Sequence, residues 1–182
     1  MSNFFTRSGD NGYTGVLGKG RLQKNHPRLE AVGTIDEATA ALGVARSQTR
    51  SNELSTLVIT IQRDLYNLMA EVAATPENAD QFRFIDSSRV SWMESQIDSL
   101  SQSITIPNEF IIPGDSRSGA NYALARTIVR RAERQVAGLY HNGDLENQEL
   151  LIYLNRLSSL CFILELIENN ISGKDMPTLA KE

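Results

Sequence analysis

Residues 54–72 read LSTLVITIQRDLYNLMAEV, and this stretch carries the clearest structural signal in the chain. Its apolar residues recur every three or four positions: Leu54, Leu57, Val58, Ile61, Leu65, Leu68, Met69 and Val72. Such spacing places all of them on one face of an α-helix. The sequence Thr75-Pro76-Glu77-Asn78 is expected to end this helix, because proline cannot continue it. The stretch therefore predicts an amphipathic helix that buries one face against neighbours.

Four further helices are predicted around it. Thr34-Ile35-Asp36-Glu37 has the pattern of a capping box, so a first helix is expected over residues 34–48. A third is expected after Asp86-Ser87-Ser88, a fourth over about 118–139 and a fifth over about 146–169. Short connections between long helices favour antiparallel neighbours. The expected fold class is all-α, a five-helix up-and-down bundle with a glycine-rich N-terminal loop segment.

Length and composition place the whole bundle in a single domain, residues 1–182. Apolar residues make up 41% and charged residues 22% of the chain, which excludes a disordered protein. Residues 1–28 are set apart by five glycines between positions 9 and 20. Residues 172–182 are polar and are expected to form a frayed tail.

Charge and apolar runs exclude several classes of protein. The net charge of −4 argues against nucleic acid or an anionic membrane as a partner. The longest apolar stretch, residues 150–167, is interrupted by polar residues, so no membrane span is expected. No secretory signal is recognised at the N-terminus, which predicts a soluble, cytoplasmic protein. Two histidines and the lone Cys161 cannot supply the ligands of a di-iron or zinc centre, so no metal site made of side chains is expected.

The fourth helix carries a concentration of positive charge. At about 100° per residue, Arg126, Arg130, Glu133 and Arg134 fall within one arc of roughly 100°. Arginines four residues apart repel each other, so the arrangement needs compensation. Two interpretations stand side by side: a solvated face paired with acids of a neighbouring helix, and an anion site. Because guanidinium groups bind phosphate oxygens in pairs, a polyphosphate is the natural anion.

The glycine-rich start is the second candidate site. Clustered glycines allow backbone amides to approach phosphate closely, and Lys24 follows as a point charge. The segment is not a Walker loop, because Arg21-Leu22 follows Gly20 where Lys-Ser/Thr is required. A flexible N-terminal tail is the alternative interpretation. Asn155 and Arg156 interrupt the apolar fifth helix and must find polar partners there.

Taken together, these segments resemble the PduO-type ATP:cob(I)alamin (corrinoid) adenosyltransferases. The resemblance begins with Thr6 to Asp10, Gly12-Tyr13-Thr14, Lys24 and the stretch from Glu30 to Glu37. It continues, in the same order, with Phe110 to Gly114, Ala125 to Arg134 and Tyr153 to Ser158. The run Arg-x-x-x-Arg-Arg-x-Glu-Arg at 126–134 is its most specific part.

The resemblance implies a fold, a reaction and a set of site residues. Members are five-helix bundles, usually homotrimers with active sites between subunits, that transfer the 5′-deoxyadenosyl group of ATP to reduced cobalamin and release triphosphate. It implies that one subunit binds ATP through Thr6, Arg7, Ser8, Gly9, Thr14, Gly15 and Lys24. It implies that the neighbour meets ATP, with Mg²⁺ on the phosphates, through Arg130, Arg131, Glu133, Arg134 and Asn155. Asp36 and Arg126 would pair and position the corrin ring, and Phe110 would lie beneath it. The residues expected to act directly in catalysis are Phe110, Arg126 and Arg130.

Two residues depart from the pattern. Asp115 follows Pro113-Gly114 where another glycine is usual, and Ser159 stands where the family usually has aspartate. An alternative function is a non-catalytic relative that binds ATP or adenosylcobalamin for delivery or sensing. An RNA-binding helical bundle is disfavoured, because aromatic residues do not alternate with the basic ones.

Overall fold

The structure, a computed structural model, describes residues 7–181. This part of the chain is mostly helical, as predicted, with five α-helices, one short 3₁₀ helix and a two-stranded sheet. The strands are β1 (Tyr13–Gly15) and β2 (Arg21–Gln23). The α-helices are α1 (Pro27–Gln48), α2 (Asn52–Ala73), α3 (Ser87–Ser101), α4 (Arg117–His141) and α5 (Glu149–Ile171). The 3₁₀ helix, Pro76–Phe82, follows α2 and was not predicted.

The start of α1 differs from the prediction. The helix begins at Pro27, and the imidazole Nδ1 of His26 accepts a hydrogen bond from the Arg28 backbone N–H at 3.1 Å. Proline suits the first helical position, because its fixed φ is helical and its missing N–H is not needed there. Thr34 lies inside the helix, where its hydroxyl donates to the Glu30 carbonyl at 2.8 Å. The capping box predicted at Thr34 is therefore wrong.

The other helix starts follow the local capping residues. α3 begins at Ser87, two residues earlier than predicted, and Asp86 caps it, its carboxylate accepting from the Arg89 backbone N–H at 2.9 Å. Ser116 caps α4 by accepting from the Gly119 N–H at 3.0 Å. The fifth helix starts later than predicted because the Asn147 side chain accepts from the Glu149 N–H at 3.1 Å in the turn before it.

The helices pack around a continuous apolar core. α1 packs against α2 and α4, and α5 packs against α4 and α3. The predicted apolar face of α2 is buried at Leu54, Val58, Ile61, Leu65, Leu68 and Val72. Inside this core, Asp64 of α2 accepts a hydrogen bond from the Tyr153 hydroxyl at 2.5 Å and an ion pair from Arg89 at 2.7 Å. This buried polar contact joins α2, α3 and α5.

Arg28 fixes one end of the molecule. Its guanidinium is buried and donates to the carbonyls of Val72 at 2.8 Å, Ala74 at 3.1 Å and Asp144 at 2.7 Å. Carbonyls at helix C-termini have no partner within their own helix, so a buried guanidinium that satisfies them stabilises the junction. The N-terminus of α1, the C-terminus of α2 and the loop after α4 therefore meet at this end.

Part of the segment after α5 pairs with the segment before α4. The backbone N–H of Ile112 donates to the Thr178 carbonyl at 2.8 Å, and the Ala180 N–H donates to the Phe110 carbonyl at 2.7 Å. This pairing differs from the frayed tail expected over residues 172–182. The chain returns past α5 and forms a short antiparallel bridge with the segment before α4.

α5 is the one helix of the described part that is long and apolar enough to cross a membrane. Most of its apolar window is buried against other helices, which is typical of a core helix in a globular protein. The helix is apolar on most sides because it packs on both α3 and α4.

Candidate functional site

The glycine-rich segment forms a docked hairpin, here called the glycine hairpin and comprising residues 7–24. Its strands pair antiparallel, with Tyr13 opposite Gln23. It attaches to the C-terminal end of α2, where the Leu17 N–H donates to the Ala73 carbonyl and Leu17 accepts from the Thr75 N–H, both at 3.0 Å. These contacts disfavour the alternative of a flexible tail for residues 7–24.

The predicted nucleotide-binding residues gather within this hairpin. The Lys24 N–H donates to the Gly12 carbonyl at 2.9 Å, and a Cβ added to Gly9 would lie 3.2 Å from the Lys24 ammonium nitrogen. Arg7 adopts a left-handed backbone with φ of 59°, an uncommon conformation for a residue with a side chain. Thr14 and Gly15 lie on β1. Thr6 lies outside the described residues.

Arg21 organises the loop and was not predicted as a site residue. Its guanidinium donates to the carbonyl of Ser8, to the Asn11 side chain at 3.3 Å and to the Tyr13 carbonyl at 2.7 Å. These contacts hold residues 8–13 against β2. In the sequence, Arg21 is distinguished only as a mismatch to a Walker loop, because the hairpin pairing that brings it back to Ser8 has no local sequence signal.

The arginine face is the set Arg126, Arg130, Arg131, Glu133 and Arg134 on α4. Arg130 and Arg134 are exposed, and Arg134 donates to the Arg130 carbonyl at 3.0 Å. Within residues 7–181, neither guanidinium pairs with a carboxylate. Arg131 forms an ion pair with Glu37 of α1. The arginine face therefore keeps two exposed guanidinium groups, those of Arg130 and Arg134, that no carboxylate of the described residues neutralises.

The polar residues of α5 meet this face. The Asn155 amide donates to the Glu133 carboxylate at 2.9 Å, which joins two predicted site residues from different helices. Arg156 pairs with Glu94 of α3 at 2.7 Å and donates to the Asn155 amide oxygen at 3.0 Å. Arg156 thus makes the interhelical contact that its sequence position suggested, and it also orients Asn155.

A cavity of about 270 Å³ lies beside Arg126 of α4, and we call it the Phe110 cavity. Its lining consists of Asn108, Glu109, Phe110, Ile111, Arg126 and Phe162. The Phe110 side chain is 89% exposed, the largest exposure among the large apolar residues described. A large aromatic ring held in solvent beside a cavity indicates a surface that meets a ligand or another chain.

Asp36 and Arg126 do not form an ion pair within this chain. Asp36 is exposed on α1, next to Glu37, which pairs with Arg131. Arg126 is half-buried, and its Nε is fully buried without a hydrogen-bond partner among the described residues. Their pairing stays a prediction, one that a second chain could satisfy.

The glycine hairpin and the Phe110 cavity lie at different levels along α4. The hairpin is attached at the end held by Arg28, close to the loop after His141. Phe110 precedes the start of α4 at Arg117. Because the Phe110 cavity lies beside Arg126, the helix runs about 22 Å from the cavity to His141 at 1.5 Å per residue. The glycine hairpin is attached near the far end of that interval.

No cluster of three or more histidine, cysteine, aspartate or glutamate side chains suited to a metal ion occurs within residues 7–181. The carboxylate nearest to the exposed arginines along α4 is Glu133, already oriented by Asn155. A cation here would take most of its oxygen ligands from a bound phosphate, as Mg²⁺ commonly does.

Comparison with known proteins gives one consistent result. The family model described as "Cobalamin adenosyltransferase" matches residues 4–168. A corrinoid adenosyltransferase of Bacillus subtilis is 35% identical over 93% of this chain and 88% of its own length. A corrinoid adenosyltransferase of Citrobacter freundii is 35% identical over 92% of this chain and 96% of its own length. Against the corrinoid adenosyltransferase PduO of Salmonella typhimurium, also 35% identical, the chain spans 49% of that protein's length.

Solved structures agree with the sequence comparison. A phenylalanine-to-alanine variant of a PduO-type ATP:corrinoid adenosyltransferase from Lactobacillus reuteri, complexed with cobalamin and ATP, matches with a TM-score of 0.90 and 31% identity. That match covers 99% of this chain and 100% of the other. An arginine-to-lysine variant from the same organism, complexed with ATP, matches with a TM-score of 0.88 and 32% identity over 98% and 100% of the two chains.

Proposed function

The chain belongs to the cobalamin adenosyltransferase family, and on that basis we propose that it transfers the 5′-deoxyadenosyl group of ATP to cob(I)alamin. The cobalt(I) electron pair attacks C5′ of ATP and forms the cobalt–carbon bond. The C5′–oxygen bond breaks, and its electron pair leaves with triphosphate. Adenosylcobalamin and triphosphate are the products, and the reaction runs in the cytoplasm.

The protein needs no general base for this reaction, because cobalt(I) is itself a strong nucleophile. Its tasks are to align cobalt with C5′ and to stabilise the charge that builds on the departing triphosphate. The proposal rests on the exposed Arg130 and Arg134 of α4, which pair with no carboxylate of residues 7–181. Guanidinium groups with no carboxylate partner remain free to bind phosphate oxygens in pairs.

The remaining residues proposed to contact the nucleotide lie beside these arginines or on the glycine hairpin. Asn155 and Glu133 are joined beside the arginines, and Arg131 is fixed by Glu37. Arg7, Ser8, Gly9, Thr14, Gly15 and Lys24, with Thr6, would contact ATP from the glycine hairpin. Mg²⁺ bound to the triphosphate would neutralise part of its charge, and Glu133 is the carboxylate placed to take part.

The corrinoid side is the Phe110 cavity. The exposed Phe110 ring offers an apolar surface for a corrin and would keep a lower axial ligand away from cobalt. Without that ligand, cobalt(II) is easier to reduce to cobalt(I). Arg126 lines the same cavity and would position the ring together with Asp36.

The active site is completed by a second copy of the chain in a homotrimer. The support is the separation within one chain: the glycine hairpin is attached near the C-terminal end of α4, whereas the Phe110 cavity lies beside Arg126, about 22 Å along the helix from His141. A neighbour's hairpin placed over this chain's arginine face would bring ATP next to the corrinoid. Asp36 of one chain would then meet Arg126 of the other.

The first experiment is an anaerobic assay with ATP, Mg²⁺ and chemically reduced cobalamin, following the loss of cobalt(I) absorbance. We expect conversion to adenosylcobalamin with one triphosphate released per product. Detectable ATP binding without conversion would instead favour the non-catalytic binding protein and would contradict the proposed transfer.

Mixing two inactive variants tests the shared site. Lys24→Ala removes a hairpin charge and Arg130→Ala removes a charge of the arginine face, so each homo-oligomer is expected to lose turnover. Co-expressed together, they form mixed oligomers in which one interface joins an intact hairpin to an intact arginine face. Turnover should return in the mixture. A mixture as inactive as its components would show that both groups act within one chain.

A further inference from the structure

Glu165 is a buried carboxyl group that the proposed mechanism does not use. It lies on α5 and is 1% exposed, in the middle of an otherwise apolar stretch. Both of its carboxylate oxygens are fully buried and have no hydrogen-bond partner among the described residues. An isolated buried charge is costly, so a carboxyl group at this position calls for a compensating group.

The location of Glu165 connects it to the Phe110 cavity. Phe162, which lines the cavity, precedes Glu165 by three residues on α5, so the two side chains are neighbours on one helix face. Arg126, on the adjacent α4, lines the same cavity. Glu165 therefore lies about one helical turn along α5 from Phe162, the α5 residue that lines the cavity.

The charges around Glu165 identify its partner. Arg126 is the positive group that acts on it, from α4, while Asp115 acts on it with like charge from the segment before α4. Cys161, one turn earlier on α5, is affected by both Arg126 and Glu165. The Nε of Arg126 is itself buried without a hydrogen-bond partner in the described structure. The buried carboxylate of Glu165 and the buried Nε of the half-buried Arg126 thus each lack a hydrogen-bond partner among the described residues.

We propose that Glu165 is a positioning residue for the corrinoid side of the site, holding the Arg126 guanidinium at the wall of the Phe110 cavity. This inference rests on the proposed function, since it assigns the cavity to the corrinoid. Glu165 contacts neither substrate and acts only through Arg126. Its carboxylate attracts the guanidinium from behind and limits how far Arg126 can swing into solvent.

The attraction between Glu165 and Arg126 depends on the charge of the Glu165 carboxyl group. Burial raises the pKa of Glu165 to about 7, Arg126 lowers it and Asp115 raises it. The carboxyl group is therefore ionised above neutral pH and protonated below it. We expect the attraction of Glu165 for Arg126, and with it the affinity of the protein for corrinoid, to weaken as the pH falls through about 7.

The test compares Glu165→Gln with wild-type protein at pH 8, measuring the KM for cob(I)alamin and the KM for ATP separately. Removing the charge while keeping the shape should raise the cob(I)alamin KM roughly tenfold, a coupling typical of charged neighbours, and leave the ATP KM unchanged. Glu168→Gln is the matched control, because Glu168 is equally buried on α5 but bonds to Thr49 instead. It should change neither KM.

A double-mutant cycle with Arg126→Met tests whether Glu165 acts through Arg126. If Glu165 acts only through Arg126, Glu165→Gln adds nothing in the Arg126→Met background. The wild-type KM for cob(I)alamin should also rise between pH 8 and pH 6, and that of Glu165→Gln should not. An unchanged cob(I)alamin KM in Glu165→Gln, equal changes in both KM values, or additive effects in the cycle would overturn the inference while leaving the proposed transfer intact. Absence of turnover by the wild-type protein would overturn both.

Discussion

The carboxylate of Asp115 binds Thr178 through two hydrogen bonds, one from the backbone N–H at 2.9 Å and one from the hydroxyl at 2.7 Å. The same hydrogen bonds, led by that of the hydroxyl, lower the pKa of Asp115. Asp115 departs from the usual family pattern, and its own backbone is not left-handed, since the positive φ of this segment belongs to Gly114. Asp115 instead fixes the segment after α5 to the segment that carries Phe110.

Asp115→Ala should release this segment. Two hydrogen bonds to a charged group contribute on the order of 1.5 kcal/mol or more, so tryptic cleavage after the exposed Lys174 should accelerate about tenfold. The measurement is limited proteolysis followed by mass spectrometry. Asp98→Ala, at an exposed position on α3, is the control and should cleave at the wild-type rate. Equal cleavage in Asp115→Ala and wild type would mean that the backbone bridges of Phe110 and Ile112 suffice.

Arg130→Ala should reduce turnover by roughly 10²–10³-fold, because it removes a group placed to stabilise charge on the departing triphosphate. Arg130 is exposed, so the melting temperature should stay near the wild-type value. Arg117→Ala, at an exposed arginine at the start of the same helix, is the matched control and should keep normal turnover. Near-normal turnover in Arg130→Ala would contradict the assignment of the arginine face.

Tyr153→Phe should destabilise the protein by about 1.5–3 kcal/mol, because it removes a buried hydrogen bond to the charged Asp64. Chemical denaturation followed by circular dichroism measures this free energy of unfolding. Tyr66→Phe removes a tyrosine hydroxyl from a side chain that is 69% exposed, so it should leave the free energy of unfolding almost unchanged. Similar losses in both variants would mean that the contact joining α2, α3 and α5 contributes little.

Periodicity predicted the helices because it directly records which face is buried. Leu54 to Val72 shows this, since the apolar positions of that stretch became the inner face of α2. The start of α1 was missed because Thr34 and Glu37 match a capping box, whereas Pro27 and His26 provide the actual cap. A local pattern can be satisfied at two places, and the sequence alone does not show which one has free backbone groups.

Within the candidate site, only the relative placement of residues on the same helix could be predicted from the sequence. The arginines of α4 could be placed on one arc by counting residues, but contacts between distant segments could not. Arg21 folding back on Ser8, Asp115 binding Thr178 and Glu165 lying near Arg126 all depend on tertiary packing. These are contacts over long sequence separations, for which no periodic signal exists.

Glu165 should also make folding stability depend on pH. Burial raises its pKa from 4.5 to about 7, so the folded state binds a proton that the unfolded state has released between these values. The free energy of unfolding contributed by this group is therefore present below pH 4.5 and lost as the pH rises through about 7, by at most about 3 kcal/mol. Urea denaturation of wild type and Glu165→Gln from pH 5 to pH 8 measures it. Relative to Glu165→Gln, the free energy of unfolding of the wild-type protein should fall as the pH rises from 5 to 8. A difference between the two proteins that stays constant with pH would exclude the raised pKa of Glu165.

Phe110→Ala separates reduction of the corrinoid from transfer to it. With 89% of its side chain exposed, Phe110 contributes little to the core, so its removal should leave the fold intact. If the ring keeps the axial ligand away from cobalt, its loss should reduce turnover far more with cob(II)alamin and a reductant than with pre-reduced cob(I)alamin. Phe84→Ala, at a half-exposed phenylalanine before α3, controls for loss of an aromatic surface residue and should leave both rates unchanged. Equal losses in the two assays for Phe110→Ala would assign the ring to binding the corrin alone.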